Sequence, residues 1–140
     1  MQEISSESLQ PELFWLTATA LMTSLFWVPY ILNRLAELGV WPALSSPTPA
    51  APPSALWAAR MMRAHSNAVE NLVVFAPLVV AVLLSHQASA LTALMCEVYF
   101  FARLAHFVAY SAGVPLVRTL TFAVGWASCV VLALTVLGVM

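Results

Sequence analysis

The chain is 140 residues long, 62% hydrophobic and 8% charged, with five arginines, six glutamates, no lysine, no aspartate and a net charge of −1. A soluble domain carries about 25% charged residues, so a water-soluble fold is excluded, and disorder fails because it needs low hydrophobicity. With no basic footprint for phosphates a nucleic-acid binder is excluded too, which leaves a small integral membrane protein.

Glu3, Glu7 and Glu12 stand where a secretory signal would carry positive charge, so no signal peptide is expected. A membrane-spanning helix needs about 20 mostly apolar residues. The charge-free stretch between Glu12 and Arg34 predicts a first span over 13–34, with Pro11 just outside it and Pro29 kinking it. The only long connection is 36–59. Its core, Pro42 to Pro53, holds five of the nine prolines among Ala, Ser and Thr, and predicts a stiff, irregular linker.

The second span is predicted over 60–85, with a kink at Pro77. Ser85-His86-Gln87-Ala88-Ser89 reads as a turn into a third span over 89–111. Gly113 and Pro115 break the chain, and Pro115 is placed to open a fourth helix over 115–138. The apolar runs are continuous rather than alternating, which argues against barrel strands. The expectation is a single all-α domain over 1–140, a four-transmembrane-helix bundle without internal repeats. Cys96 and Cys129 lie in apolar stretches outside any metal-ligand spacing and read as packing residues, so no metal site is expected.

Four spans put the 1–2 and 3–4 connections on one side. Arg34, Arg60, Arg63, Arg103 and Arg118 all fall in that half, which the positive-inside rule makes cytoplasmic, leaving both termini outside. For Arg34 and Arg60 a plain role as snorkelling topology markers is the alternative. Glu70 and Arg103 lie deeper, where a charge costs about 2.5–3.5 kcal/mol on insertion scales and needs a partner. Glu70 lies about 15 Å beyond Arg60, and Arg103 about 10 Å short of Tyr110, so on antiparallel helices the two reach similar depth and are expected to pair. Arg63, Asn67, Glu70 and Asn71 share one helical face, as do Tyr99, Arg103, His106 and Tyr110. Two such stripes describe either a polar cavity or an interhelical zipper. His65 lies off the Arg63 face and reads as a packing histidine, His86 as solvated in the turn. Glu97 stands mid-membrane without an assigned partner; a protonated, hydrogen-bonded carboxyl is expected.

Arg63-Ala64-His65-Ser66-Asn67-Ala68-Val69-Glu70-Asn71 resembles the second-helix signature of the MAPEG family, membrane-associated proteins in eicosanoid and glutathione metabolism. Ala102-Arg103-Leu104-Ala105-His106-Phe107-Val108-Ala109-Tyr110 with Arg118-Thr119 resembles its third- and fourth-helix signature, and Pro29-Tyr30-Ile31-Leu32-Asn33-Arg34 extends the match. The flavour is that of the short bacterial members. The resemblance implies a homotrimer in the bacterial inner membrane, with glutathione as co-substrate between neighbouring subunits. It places Arg63, Asn67, Glu70, His106, Tyr110 and Arg118 around the tripeptide, with Arg118 at the reactive thiol; Arg34 and Arg103, in the same half of the membrane, are expected to join them in binding it. Ser66 and Phe122 depart from the prostaglandin synthase branch, which has a basic residue and a tyrosine there.

Glutathione suits these residues: carboxylates for arginines, an ammonium for Glu70, and a thiol whose nucleophilic thiolate a nearby arginine favours. The leading expectation is a glutathione-dependent transferase or peroxidase acting on lipophilic electrophiles from the bilayer lipid. A non-catalytic lipid-binding or scaffold protein on the same fold is the alternative, and a small transporter using Glu97 the third. The small residues Ala123, Gly125, Ala127 and Ser128 on the fourth span are compatible with close helix approach between subunits.

Overall fold

A computed structural model describes residues 9–45 and 52–140. These residues form six helices and no strand: α1 (Pro11–Leu25), α2 (Val28–Leu38), α3 (Val40–Ser45), α4 (Leu56–Leu84), α5 (Ala90–Ala112) and α6 (Pro115–Val136). Four candidate spans, Pro11–Leu38, Leu56–Leu84, Ala90–Ala112 and Pro115–Val136, are long and apolar enough to cross a bilayer.

The first span differs from expectation at its start. Pro11 is not outside it but opens it, because the amide that proline lacks is one that a first helical turn leaves unpaired anyway. Glu12, next to it, is buried. Pro29 has no N–H to give to the carbonyl one turn back, so the hydrogen-bond ladder breaks at Phe26–Trp27, which keep right-handed helical dihedrals, and α2 carries the same span on to Leu38. Pro77, by contrast, lies inside an unbroken α4.

The 36–59 connection is more ordered than its prolines suggest. The first span continues to Leu38, and α3 follows with Pro42 inside it; residues 46–51, with Pro47 and Pro49, lie outside the described residues, as do Glu3 and Glu7. Glu37 ties the far side of the connection back. Its carboxylate accepts from Ser54 Oγ (2.7 Å), Ser54 N (3.3 Å) and Ala55 N (3.3 Å), while Asn33 donates to the same group at 2.9 Å. A carboxylate on the free amides at the start of α4 also complements the helix dipole there.

The Ser85–Ser89 turn forms where the polar cluster predicts it, with His86 in the left-handed region (φ 56°). Ser89 caps α5 through a reciprocal box with Thr92: Thr92 N donates to Ser89 Oγ and Ser89 N to Thr92 Oγ1. Gly113, left-handed at φ 78°, ends α5, and Pro115 opens α6.

Helix α5 touches α1, α4 and α6, and its packing against α6 is the most extensive in the chain. The core has two levels. Near the Ser85–Ser89 turn, Phe75, Val79, Val82, Cys96, Cys129 and Leu132 surround Tyr99, whose ring stacks on Phe75 at 3.7 Å. Nearer the arginines, Phe26 stacks on Phe107 at 3.6 Å over Ala64 and Ala68, with Met22 and Met61 alongside. The polar stripe of α5 runs from Tyr99 in the first level, past Arg103 between the two, to His106 and Tyr110 beside the second.

Candidate functional site

Arg103 is 2% exposed, at the midpoint of α5. Its Nη1 donates to Asn67 Oδ1 on α4 (3.4 Å) and its Nη2 to the Phe122 carbonyl on α6 (3.2 Å). The guanidinium lies 5.4 Å from the Tyr99 ring centre and 5.0 Å from that of Phe122, so aromatic faces supply much of what water would have given it. Space for it comes from Gly125. A Cβ added there would stand 2.6 Å from Nη2 and 2.8 Å from Nε, closer than real side chains approach. The small residues of α6 thus divide: Gly125 and Ser128 are buried within the protomer, while Ala123 and Ala127 are exposed. Gly125 serves the chain's own arginine rather than a neighbouring helix.

The expected Glu70–Arg103 pair does not form. Asn67 takes the arginine, and Glu70, one turn further along α4, is exposed with no hydrogen-bond or ion-pair partner among the described residues. Matched depth was the correct part of the expectation. The error is azimuthal, because Asn67 points at α5 and Glu70 past it. Arg63 is likewise exposed and unpaired, and Asn71 turns back to the Asn67 carbonyl (2.7 Å).

His106 Nδ1 lies 2.9 Å from the Arg118 carbonyl. A carbonyl only accepts, so Nδ1 carries the proton, and in the neutral ring Nε2 is a lone-pair acceptor; it is buried with no partner. The ring meets Tyr110 edge-on at 5.7 Å and Phe122 at 5.8 Å. Arg118, half-buried in the first turn of α6, lays its guanidinium 4.9 Å from the Tyr110 ring centre. The structure therefore brings Asn67, Arg103, His106, Tyr110 and Arg118 into one connected group. It leaves Arg63 and Glu70 on the adjoining protomer surface, and places Arg34 half-buried on α2, the helix packed beside α4.

Three contacts were not read from the sequence. Arg60 is more than a topology marker: its Nη1 donates to the Ala112 carbonyl (3.4 Å), and its guanidinium lies against Gly113, closing the end of α5. Gly125 had a signal, since a lone glycine inside an apolar helix marks close approach, though not of what. Tyr30 bonds His65 Nδ1 at 2.8 Å, which gives the packing histidine a partner on α2.

Glu97 is exposed on the outer face of α5, with no partner among the described residues, so the hydrogen-bonded carboxyl expected there is not formed within the protomer. Cys96 and Cys129 are free thiols in the upper core, as packing residues should be. No cluster of metal-ligating groups occurs among the described residues.

No curated protein and no solved structure matches the chain. The family model of the MAPEG family matches residues 13–138, which takes in all four spans and every member of the polar group just described. The chain is a membrane protein of the MAPEG family, the proteins related to glutathione and eicosanoid metabolism.

Proposed function

We propose that this protein is a glutathione-dependent transferase or peroxidase acting on lipophilic electrophiles that arrive from the bilayer. Its site is completed by a second protomer in a homotrimer of the bacterial inner membrane. The observation that carries the reading is a half-built anion site. Arg103, His106 and Arg118 converge below the upper core, while Arg63 and Glu70, one of each charge, stand exposed and unpaired beside them. Charges inside a membrane bundle need partners. A zwitterionic tripeptide with two carboxylates and an ammonium offers them to both.

In this reading Arg63, Asn67, Glu70, Arg103, His106, Tyr110 and Arg34 hold the tripeptide, and Arg118 is the catalytic residue. A thiol of pKa near 8.5 is mostly protonated at neutral pH, and a guanidinium beside it favours the nucleophilic thiolate, the proton leaving to water. Arg118 suits that task, being half-buried at a helix start where water still reaches. The positive-inside rule puts this end in the cytoplasm, where glutathione is, and both termini outside.

A non-catalytic lipid-binding or scaffold role is favoured by one observation: the Phe122 ring, with no hydroxyl, lies under Arg103 and narrows the polar lining. One experiment separates the two. Glutathione at about 100 times its Kd should stabilise the detergent-purified protein by about 2.7 kcal/mol, raising its melting temperature. No shift at millimolar glutathione would refute the glutathione reading, and a stable monomer or dimer in native mass spectrometry would remove the intersubunit site.

A further inference from the structure

The exposed face of α5 carries Leu94, Phe101, Leu104 and Val108, as a lipid-facing helix should, and among them Glu97. It lies seven residues into the helix, about 10 Å from the Ser85–Ser89 turn end. Beside it runs a 440 Å³ groove between α5 and α6, with Phe101, Ala102 and Ala105 on one side and Thr121 and Val124 on the other. Glu97 is the only charged residue lining it. Thr121 donates its hydroxyl to the Val117 carbonyl (2.7 Å), so the rest of the wall is effectively apolar. A second cavity of 600 Å³, sharing Phe101 and Ala105, continues the groove toward the arginine end.

An acidic side chain facing hydrocarbon calls for a counter-group, and the described residues of a second copy bring no cationic side chain to its depth. Subunits of a ring whose axis is the membrane normal carry equal residues at equal depth. Arg34, Arg60, Arg63 and Arg118 all lie toward the arginine end, and Arg103 is buried about 9 Å closer to that end than Glu97. His65 and His106 lie on the same side, and His86 sits at the turn itself. A cation carried by the bilayer can supply the complementary charge.

We propose that the α5–α6 groove is a binding site for a single-chain lipophilic cation, an alkylammonium whose head pairs with the Glu97 carboxylate and whose tail lies over Ala105 and Val124. Phe101 adds an aromatic surface suited to an ammonium. The small side chains of Ala102 and Ala105 leave the depth a methylene chain fills, and the head is set nearest the turn end, so such a ligand enters from that leaflet. The site is separate from the glutathione group, and either assignment can fail without the other.

The test uses the full chain in neutral phosphatidylcholine nanodiscs and a dodecyl quaternary ammonium bearing a diazirine on its chain. Photolabelling is expected on the peptide containing Leu94–Ala105, competed by dodecyltrimethylammonium and not by dodecanol. Glu97→Gln should cut it at least tenfold while leaving helix content and glutathione stabilisation unchanged. Ala105→Leu, which fills the groove and keeps the carboxylate, should also cut it. Equal labelling of wild type and Glu97→Gln, or equal labelling by the corresponding dodecanol probe, would overturn the proposal. So would loss of the native oligomer in Glu97→Gln, which would mean that a second copy covers the residue.

Discussion

Replacing Gly125 by alanine should destabilise the protein, although alanine is the better helix former by about 1 kcal/mol. The added methyl meets three guanidinium atoms of Arg103 at 2.6, 2.8 and 3.1 Å. An exposed arginine would swing away at little cost, but Arg103 is buried, flanked by the Tyr99 and Phe122 rings and bonded to Asn67 and the Phe122 carbonyl. Overpacking costs about 1–3 kcal/mol. Polar contacts between membrane helices average about 0.6 kcal/mol each, so displacing both of these roughly offsets the propensity gain. The net loss is about 1–3 kcal/mol. Reversible unfolding by SDS in mixed micelles, followed by helical circular dichroism, would measure it. The decisive comparison is a double-mutant cycle with Arg103→Met. Methionine is flexible and uncharged, so in that background Gly125→Ala should become neutral or stabilising. If it costs the same in both backgrounds, the glycine is not there to admit the guanidinium.

Glu12→Ala should cost about 1–3 kcal/mol in the same assay and expose α1 to protease, because it strips a buried 2.6 Å hydrogen bond from Thr92. Thr92→Val should cost more, since it also removes half of the capping box of α5. Arg118→Gln should leave folding and glutathione binding largely intact but lower the bound thiolate fraction, read by ultraviolet thiolate absorbance across pH; equal fractions in both proteins would remove Arg118 from thiol activation. Phe26→Ala and Phe107→Ala should each cost about 3–5 kcal/mol, and the double mutant less than their sum, because the two rings stack on each other.

The first and fourth spans were legible in the sequence because charge is scarce: each fills a charge-free stretch about as long as a membrane helix. The second and third carry charges within them and were legible from the breaks instead, the polar Ser85–Ser89 cluster inside an uncharged stretch too long for one helix and the Gly113–Pro115 pair after it. The stripes on α4 and α5 followed from helical periodicity, which also fixes depth. Periodicity does not fix the rotation of one helix against its neighbour, and so could not tell whether Asn67 or Glu70 would reach Arg103. Nor could it show that the break before Pro29 falls at Phe26–Trp27, that α3 fills part of a proline-rich segment, or that Glu37 reaches across the connection to Ser54. Each depends on contacts between residues far apart in the chain. Nothing in the sequence signalled the burial of Glu12. A terminal acidic residue is normally solvated, and only the arrival of Thr92 from the next hairpin gives it a buried donor.

Helix α5 meets its three partners through polar contacts at several heights: Thr92 with Glu12 near one end, Arg103 with Asn67 and the Phe122 carbonyl midway, His106 with the Arg118 carbonyl beyond it, and Ala112 with Arg60 at the other end. Apolar surfaces in lipid are poor at fixing how far one helix stands above another. A slip of one turn, about 5.4 Å, exchanges one set of Leu and Val contacts for a similar one. A hydrogen bond does not survive such a slip. Bolts at several levels therefore fix the vertical register helix by helix: α1, held to α5 by the Thr92–Glu12 bond alone, should slide when that bond is lost, while α4 and α6, each held at two heights, stay in place.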